Sequence, residues 1–198
     1  MNYASLLASI QEYTQNSEAV FVAEIPNFVK QTEDRIQHLV QLPVFRKTSS
    51  VAMSASNKNF STPSDFVSVN SFAVLDGSSN YTFMLNKDVN FIRQAFGLVA
   101  TTGLPRYYAL EDHDTLLLGP TPNSNYSTEL NYFYKPQSIV DATNTWIGDE
   151  SPAALLYGCL VEAYTYMKGE PDLLQLYDTR FKEAMVKLKE LGDGKNRT

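Results

Sequence analysis

Asp112-His113-Asp114 is the one run in the chain that joins an imidazole to two carboxylates, the donor types of a zinc or related metal site and of a small metal-dependent hydrolase. Neighbouring residues of a strand point to opposite faces, and such a site needs three or four ligands held by outer partners. The run therefore reads as the solvated tip of a hairpin. The carboxylate pairs Glu33-Asp34 and Asp149-Glu150 are adjacent in sequence, which does not set two carboxyls across a substrate. A solvated helix face and a helix start account for them. Tyr132-Phe133-Tyr134-Lys135 offers rings on which bases can stack, but only a basic groove would make that a nucleic-acid site, so sheet packing is expected. The single cysteine, Cys159, excludes an internal disulfide and lies in the apolar run Leu155–Leu160, the setting of a buried small hydrophobe. His38 and His113 are the two histidines. There is no glycine-rich phosphate loop, no G-x-S-x-G elbow and no H-E-x-x-H. No catalytic, metal-ligating or cofactor-binding residue is expected, and no cofactor.

Charge narrows the partners. The net −6 of the 198 residues is concentrated in residues 105–150, where two basic side chains meet seven acidic ones. Without a basic face, tight binding to DNA phosphates is excluded, whereas an acidic surface that DNA passes without sticking is allowed. Asp112, Asp114 and Glu129 are the candidates for that surface. Twelve tyrosines and eleven phenylalanines supply wide contact area, suited to subunit interfaces and half-buried sheets. No apolar run reaches membrane-spanning length and no basic-then-apolar leader opens the sequence, so neither a membrane partner nor export is expected.

The elements that position these residues fall into three zones. In the first, Tyr3, Leu6, Leu7, Ile10 and Tyr13, then Phe21, Ile25, Phe28, Val29, Ile36, Leu39 and Val40, recur at helical spacing. Pro26 should start or kink the second helix, and Glu33, Asp34 and Arg35 fall between stripe positions, on its solvated side. Pro43 ends the zone. From Val44 the period shortens towards two: Phe66–Leu75, Tyr81–Leu85, Arg106–Leu110, Thr115–Leu118 and Ser127–Tyr134 read as strands of an antiparallel sheet. Asp76–Asn80 forms a turn, and one helix over about 87–96 interrupts, with Asn86 as cap and Gly97 as stop. In the last zone Ser151-Pro152 opens a helix that is apolar nearly all round, and Gly169-Glu170-Pro171-Asp172 turns the chain into a second, amphipathic one. A polar tail follows from Gly192. The expected fold is α+β: a helical bundle of N-terminal (1–43) and C-terminal (141–192) helices, an inserted antiparallel β-rich region (44–140) and a tail at 193–198.

Several ordered blocks carry a resemblance: Phe28–Ile36, Leu42–Lys47, Thr62–Phe66, Leu85–Arg93, Gly103–Tyr108, Leu117–Pro122 and Tyr157–Tyr164. In this succession the chain resembles the head–tail adaptor (connector) family of short-tailed and related bacteriophages. The resemblance implies a non-enzymatic virion protein at the head–tail interface, made in the host cytoplasm. It further implies a homo-oligomeric, dodecameric ring whose wall is the helical bundle, with the inserted β region facing outward or towards the tail. The partners implied are the portal protein, reached by the C-terminal Lys195, Asn196, Arg197 and Thr198, and tail nozzle or tail-tube proteins. DNA would pass through the channel without specific binding. The neighbouring reading is a tail tubular ring component one position further down.

Overall fold

The computed structural model describes residues 1–40, 42–76, 80–97 and 101–196, the last five of these by backbone alone. The chain divides into two units, Met1–Val44 with Gln137–Thr198, and Phe45–Pro136. The fold is mixed α+β, with helices in the first unit and mostly antiparallel sheets in the second. No helix among the described residues is long and apolar enough to cross a membrane.

In the helical unit, α1 (Tyr3–Thr14) begins where the Asn2 side chain accepts the Ser5 N–H at 2.8 Å, and it buries Leu6 and Ile10 completely. Helix α2 (Ala19–Leu39) continues through Pro26 instead of starting there. Proline removes one backbone donor, but Ile25, Phe28 and Val29 around it are buried, and that packing outweighs the lost bond. Two short helices escape the sequence pattern, α4 (Ile139–Ala142) and α5 (Trp146–Glu150), because four or five residues are too few to show a period. Helix α6 (Pro152–Met167) is the central one. It packs on α1, α2, α5 and the final helix α7 (Pro171–Asn196), as its apolar perimeter requires. Pro152 takes the first turn as expected, but the Ser151 side chain makes no capping bond. Gly158 lets α6 close on two neighbours at once: a Cβ there would collide with the Thr32 methyl of α2 and lie 3.0 Å from the Phe181 ring of α7. Helix α7 continues through Gly192 and Gly194 to Asn196, where the composition suggested a tail, because extending an existing helix adds one bond per residue fixed.

The second unit contains two larger sheets and a two-stranded one. The first orders β1 (Arg46–Ser49), β11 (Tyr126–Tyr134), β4 (Phe66–Leu75) and β5 (Tyr81–Phe83), with β2 (Ala52–Met53) also on β11. The second orders β3 (Asn59–Ser61), β9 (Thr115–Gly119), β8 (Tyr107–Leu110) and β6 (Leu85–Asn86), and the last of these pairs with β8 in parallel. A small parallel pair joins β7 (Thr102–Gly103) to β10 (Thr121–Pro122). Alternate residues of each sheet meet in one core: Phe72, Val74, Leu130 and Tyr132 from the first, Phe60, Tyr108, Leu116 and Leu118 from the second. Leu117 points the other way, where Ile92 of α3 (Val89–Ala95) covers it, so the run Leu116-Leu117-Leu118 is apolar because both faces are buried. Asp88, not Asn86, caps α3, accepting the Asn90 N–H at 2.7 Å; Asn86 belongs to β6. At Gly119 a Cβ would stand 2.7 Å from the Phe96 ring, so only glycine lets β9 pass beneath α3.

Candidate functional site

The resemblance blocks converge on structural junctions. In α2, Thr32 and Glu33 are buried, at 1% and 4% exposure, which corrects the expectation of a solvated charged stretch. Glu33 Oε1 accepts the Ile139 N–H at 2.9 Å, so a buried carboxylate receives the first donor of α4. Burial pushes its carboxyl above the ordinary range, against bonds from Ser138 and Ile139 that pull it down; Asp34 and Asp141 push it further up. Arg35 lies over the Phe181 ring at 4.6 Å and reaches Asp178 at 3.4 Å, tying α2 to α7.

A second junction joins three segments of the β unit. Lys47 on β1 bonds the Asp65 carboxylate at 2.6 Å and stands over the Tyr134 ring at 4.0 Å. The Tyr132 hydroxyl donates to the same carboxylate at 2.9 Å, and the Asp65 carbonyl accepts the Lys135 N–H at 2.9 Å. Arg46 lies over Phe133 at 5.0 Å. Partial burial pushes the Asp65 carboxyl up, but Lys47 and Tyr132 outweigh it and hold it below the usual carboxylate range. The aromatic run on β11 is thus engaged in the sheet and with cations of its own chain. Sequence reasoning missed this cluster, since nothing local links a turn aspartate to a lysine eighteen residues earlier.

The acidic candidates separate into two places. Asp112 and Asp114 sit at the exposed tip of the β8–β9 hairpin, where the Asp114 carbonyl accepts the Thr62 N–H at 2.8 Å. The Asp114 N–H and then the Thr115 hydroxyl hold the Asp112 carboxyl below its ordinary range. Glu129 belongs to β11 in the other sheet, half-buried, and accepts from the Tyr81 hydroxyl at 3.0 Å. No group of three His, Cys, Asp or Glu among the described residues is placed to hold a metal ion, so His113 and the aspartates on either side of it do not converge as ligands. Cys159 is fully buried, and burial first of all pushes its thiol up to about 12. Lys195 and Asn196 form the end of the α7 backbone; Arg197 and Thr198 lie outside the described residues.

What these junctions share is that each uses its charge to hold the fold. A family model for the SU10 adaptor protein matches residues 1–198, the whole chain. The chain belongs to the SU10 adaptor protein family. Membership makes it a bacteriophage head–tail adaptor, a structural virion protein that acts through contacts with portal and tail proteins. No curated protein matches the chain. Large apolar side chains left exposed include Tyr81, Phe83 and Leu85 in the β unit, and Val20, Leu39 and Val186 in the helical unit.

Proposed function

We propose that this adaptor is one subunit of a dodecameric ring that joins the portal vertex to the tail and continues the DNA channel. The observation that carries the reading is the family match over residues 1–198, which embraces the helical unit and the β unit together. In this reading the N- and C-terminal helices form a bundle that makes the ring wall, and the end of α7, with Lys195, Asn196, Arg197 and Thr198, docks on the portal. Asp112, Asp114 and Glu129 face the channel, where twelvefold repetition turns a modest negative bias into a field that keeps DNA moving without binding it. Unlike flanks that meet head to tail are what ring closure requires. The test is to mix the purified protein with its cognate portal and determine the mass and symmetry of the complex. A ring stacked on the portal, weakened by deletion of residues 192–198, is the expected result. Binding to tail proteins without portal binding would move the assignment down the tail, and channel-facing acids are refuted if Asp112, Asp114 and Glu129 map to the outer wall.

A further inference from the structure

On leaving the β unit the chain passes through residues 138–151, which hold α4, α5 and the turn between them, before α6 begins. Thr143 stands in that turn with φ 67° and ψ −48°. The Asn144 N–H closes on the Ala142 carbonyl at 2.7 Å, so the turn is a γ-turn of the strained hand. A positive φ is costly for a side chain branched at Cβ, whereas glycine adopts it freely. Gln15 and Lys168 also have positive φ, but each ends a helix in the ordinary left-handed cap. Thr143 is different: its side chain is exposed, and its bonds among the described residues are all made by the backbone.

Strain of this kind persists only where the surroundings impose it. Here the turn is held from both sides: the Thr143 N–H bonds the Ile139 carbonyl at 3.1 Å, and the Thr143 carbonyl accepts the Tyr3 N–H at 3.0 Å. At one end of the segment the buried Glu33 accepts the Ile139 N–H, and at the other the Gly148 carbonyl accepts from the Met1 nitrogen at 2.8 Å. Ile139 and Ile147 are buried. A Cβ on Gly148 would stand 2.8 Å from the Ile139 side chain, so α4 and α5 also pack on each other. The exposed pair Lys30–Asp141, at 3.5 Å, adds little. Helices of four and five residues do not stand alone, so these few contacts decide whether the whole segment is ordered.

We propose that residues 138–151 are a spring-loaded strap, which lifts from α2 and α6 as one unit while the long helices stay folded. The strain at Thr143 favours the open form; the Glu33 latch and the two buried isoleucines favour the closed one. Opening exchanges a rise of about 1.5 Å per residue for up to about 3.3 Å over the nine helical residues of α4 and α5, so the connection gains a reach of about 16 Å. The connection that enters the β unit has no such slack, because Leu42 and Phe45 on either side of it are buried. One connection can therefore lengthen while the other stays fixed as a pivot. The strap does not depend on the ring reading, since every contact named lies inside the helical unit.

Native hydrogen exchange of the full chain, read by mass spectrometry and corrected for intrinsic rates, tests the strap. Amides 139–150 should exchange together, on the order of a hundredfold faster than those of α6. Strain like that at Thr143 shifts an equilibrium by roughly five- to a hundredfold, and the freer open chain of a glycine offsets part of this. Thr143→Gly should therefore slow the group by about threefold or more and leave α6 unchanged. Thr143→Val keeps the branch at Cβ and should exchange like the parent, while Glu33→Ala should speed the group about tenfold or more. Exchange of 139–150 at the rate of α6 overturns the strap. Unchanged or faster exchange in Thr143→Gly overturns the spring, as does equal slowing by Thr143→Val, which would trace the effect to the hydroxyl.

Discussion

Replacing Glu33 separates two roles that one carboxylate combines. Its side chain is nearly sealed from solvent and accepts the Ile139 N–H. Glu33→Ala strands that donor, which costs about 1–3 kcal/mol, and removes the carboxyl with one buried methylene, at roughly 0.8 kcal/mol for the methylene, before any collapse of the space. The expected loss is about 2–4 kcal/mol, read from urea unfolding followed at 222 nm, where the helical unit dominates the signal. Glu33→Gln keeps an acceptor for Ile139 and removes the buried charge. Because burial holds the folded carboxyl above its unfolded value, its contribution to stability is fully present below the unfolded pKa, near 4.3, and is lost as pH rises through the folded one. The glutamine variant should therefore match the parent near pH 4 and become the more stable of the two at pH 8, by an amount that stops growing once Glu33 is fully ionised. If Glu33→Gln is destabilised at pH 8 as severely as Glu33→Ala, the charge itself is what α4 needs, and the burial argument is refuted.

Asp65→Asn should cost about 1 kcal/mol at pH 7 in the β unit, a loss that fades as pH falls through the depressed folded pKa of Asp65, because the stability its ionised form contributes is present only above that range; tyrosine fluorescence during urea unfolding reports it. Gly158→Ala should destabilise the helical unit by about 1–3 kcal/mol, and Thr32→Ser, which removes the methyl it strikes, should recover most of that; purely additive effects in the double variant would contradict the packing described. Cys159 should resist a thiol reagent at pH 8 in the native protein and react at once in urea, and fast labelling without denaturant would show that α6 opens locally.

Where the sequence could be read and where it could not follows from the range of the interactions. Leu116-Leu117-Leu118 and the alternation of Leu130 and Tyr132 are apolar patterns that any strand must show, and β4, β9 and β11 were legible from them. The all-round apolar surface of α6 announced a central helix for the same reason. Glu33 misled because a charged letter on the edge of a stripe looks solvated, and only the distant Ile139 makes its burial sensible. The Lys47–Asp65–Tyr132 cluster was invisible for a like cause: its members are ordinary residues until the β1–β11 and β4–β11 ladders bring them together. Asp112, Asp114 and Glu129 were grouped by charge alone, and the sheets assign them to different ladders. The segment Tyr81–Leu85 was recognised as a strand, but which of its faces is covered depends on neighbours the local pattern does not name.

The two connections between the units run into neighbouring strands of one ladder: the incoming chain continues into β1 at Arg46, and the outgoing chain leaves β11 after Tyr134, with Arg46 directly opposite Phe133. A pull delivered through both connections would load that ladder in the peeling direction, opening one rung at a time from Arg46–Phe133 instead of shearing all rungs at once. The first rungs are the ones fastened from outside the ladder, by Arg46 over Phe133, by Lys47 over Tyr134, and by Asp65 gripping Lys47, Tyr132 and the Lys135 backbone. Tension between the units would thus meet this fastening at the rung where peeling begins.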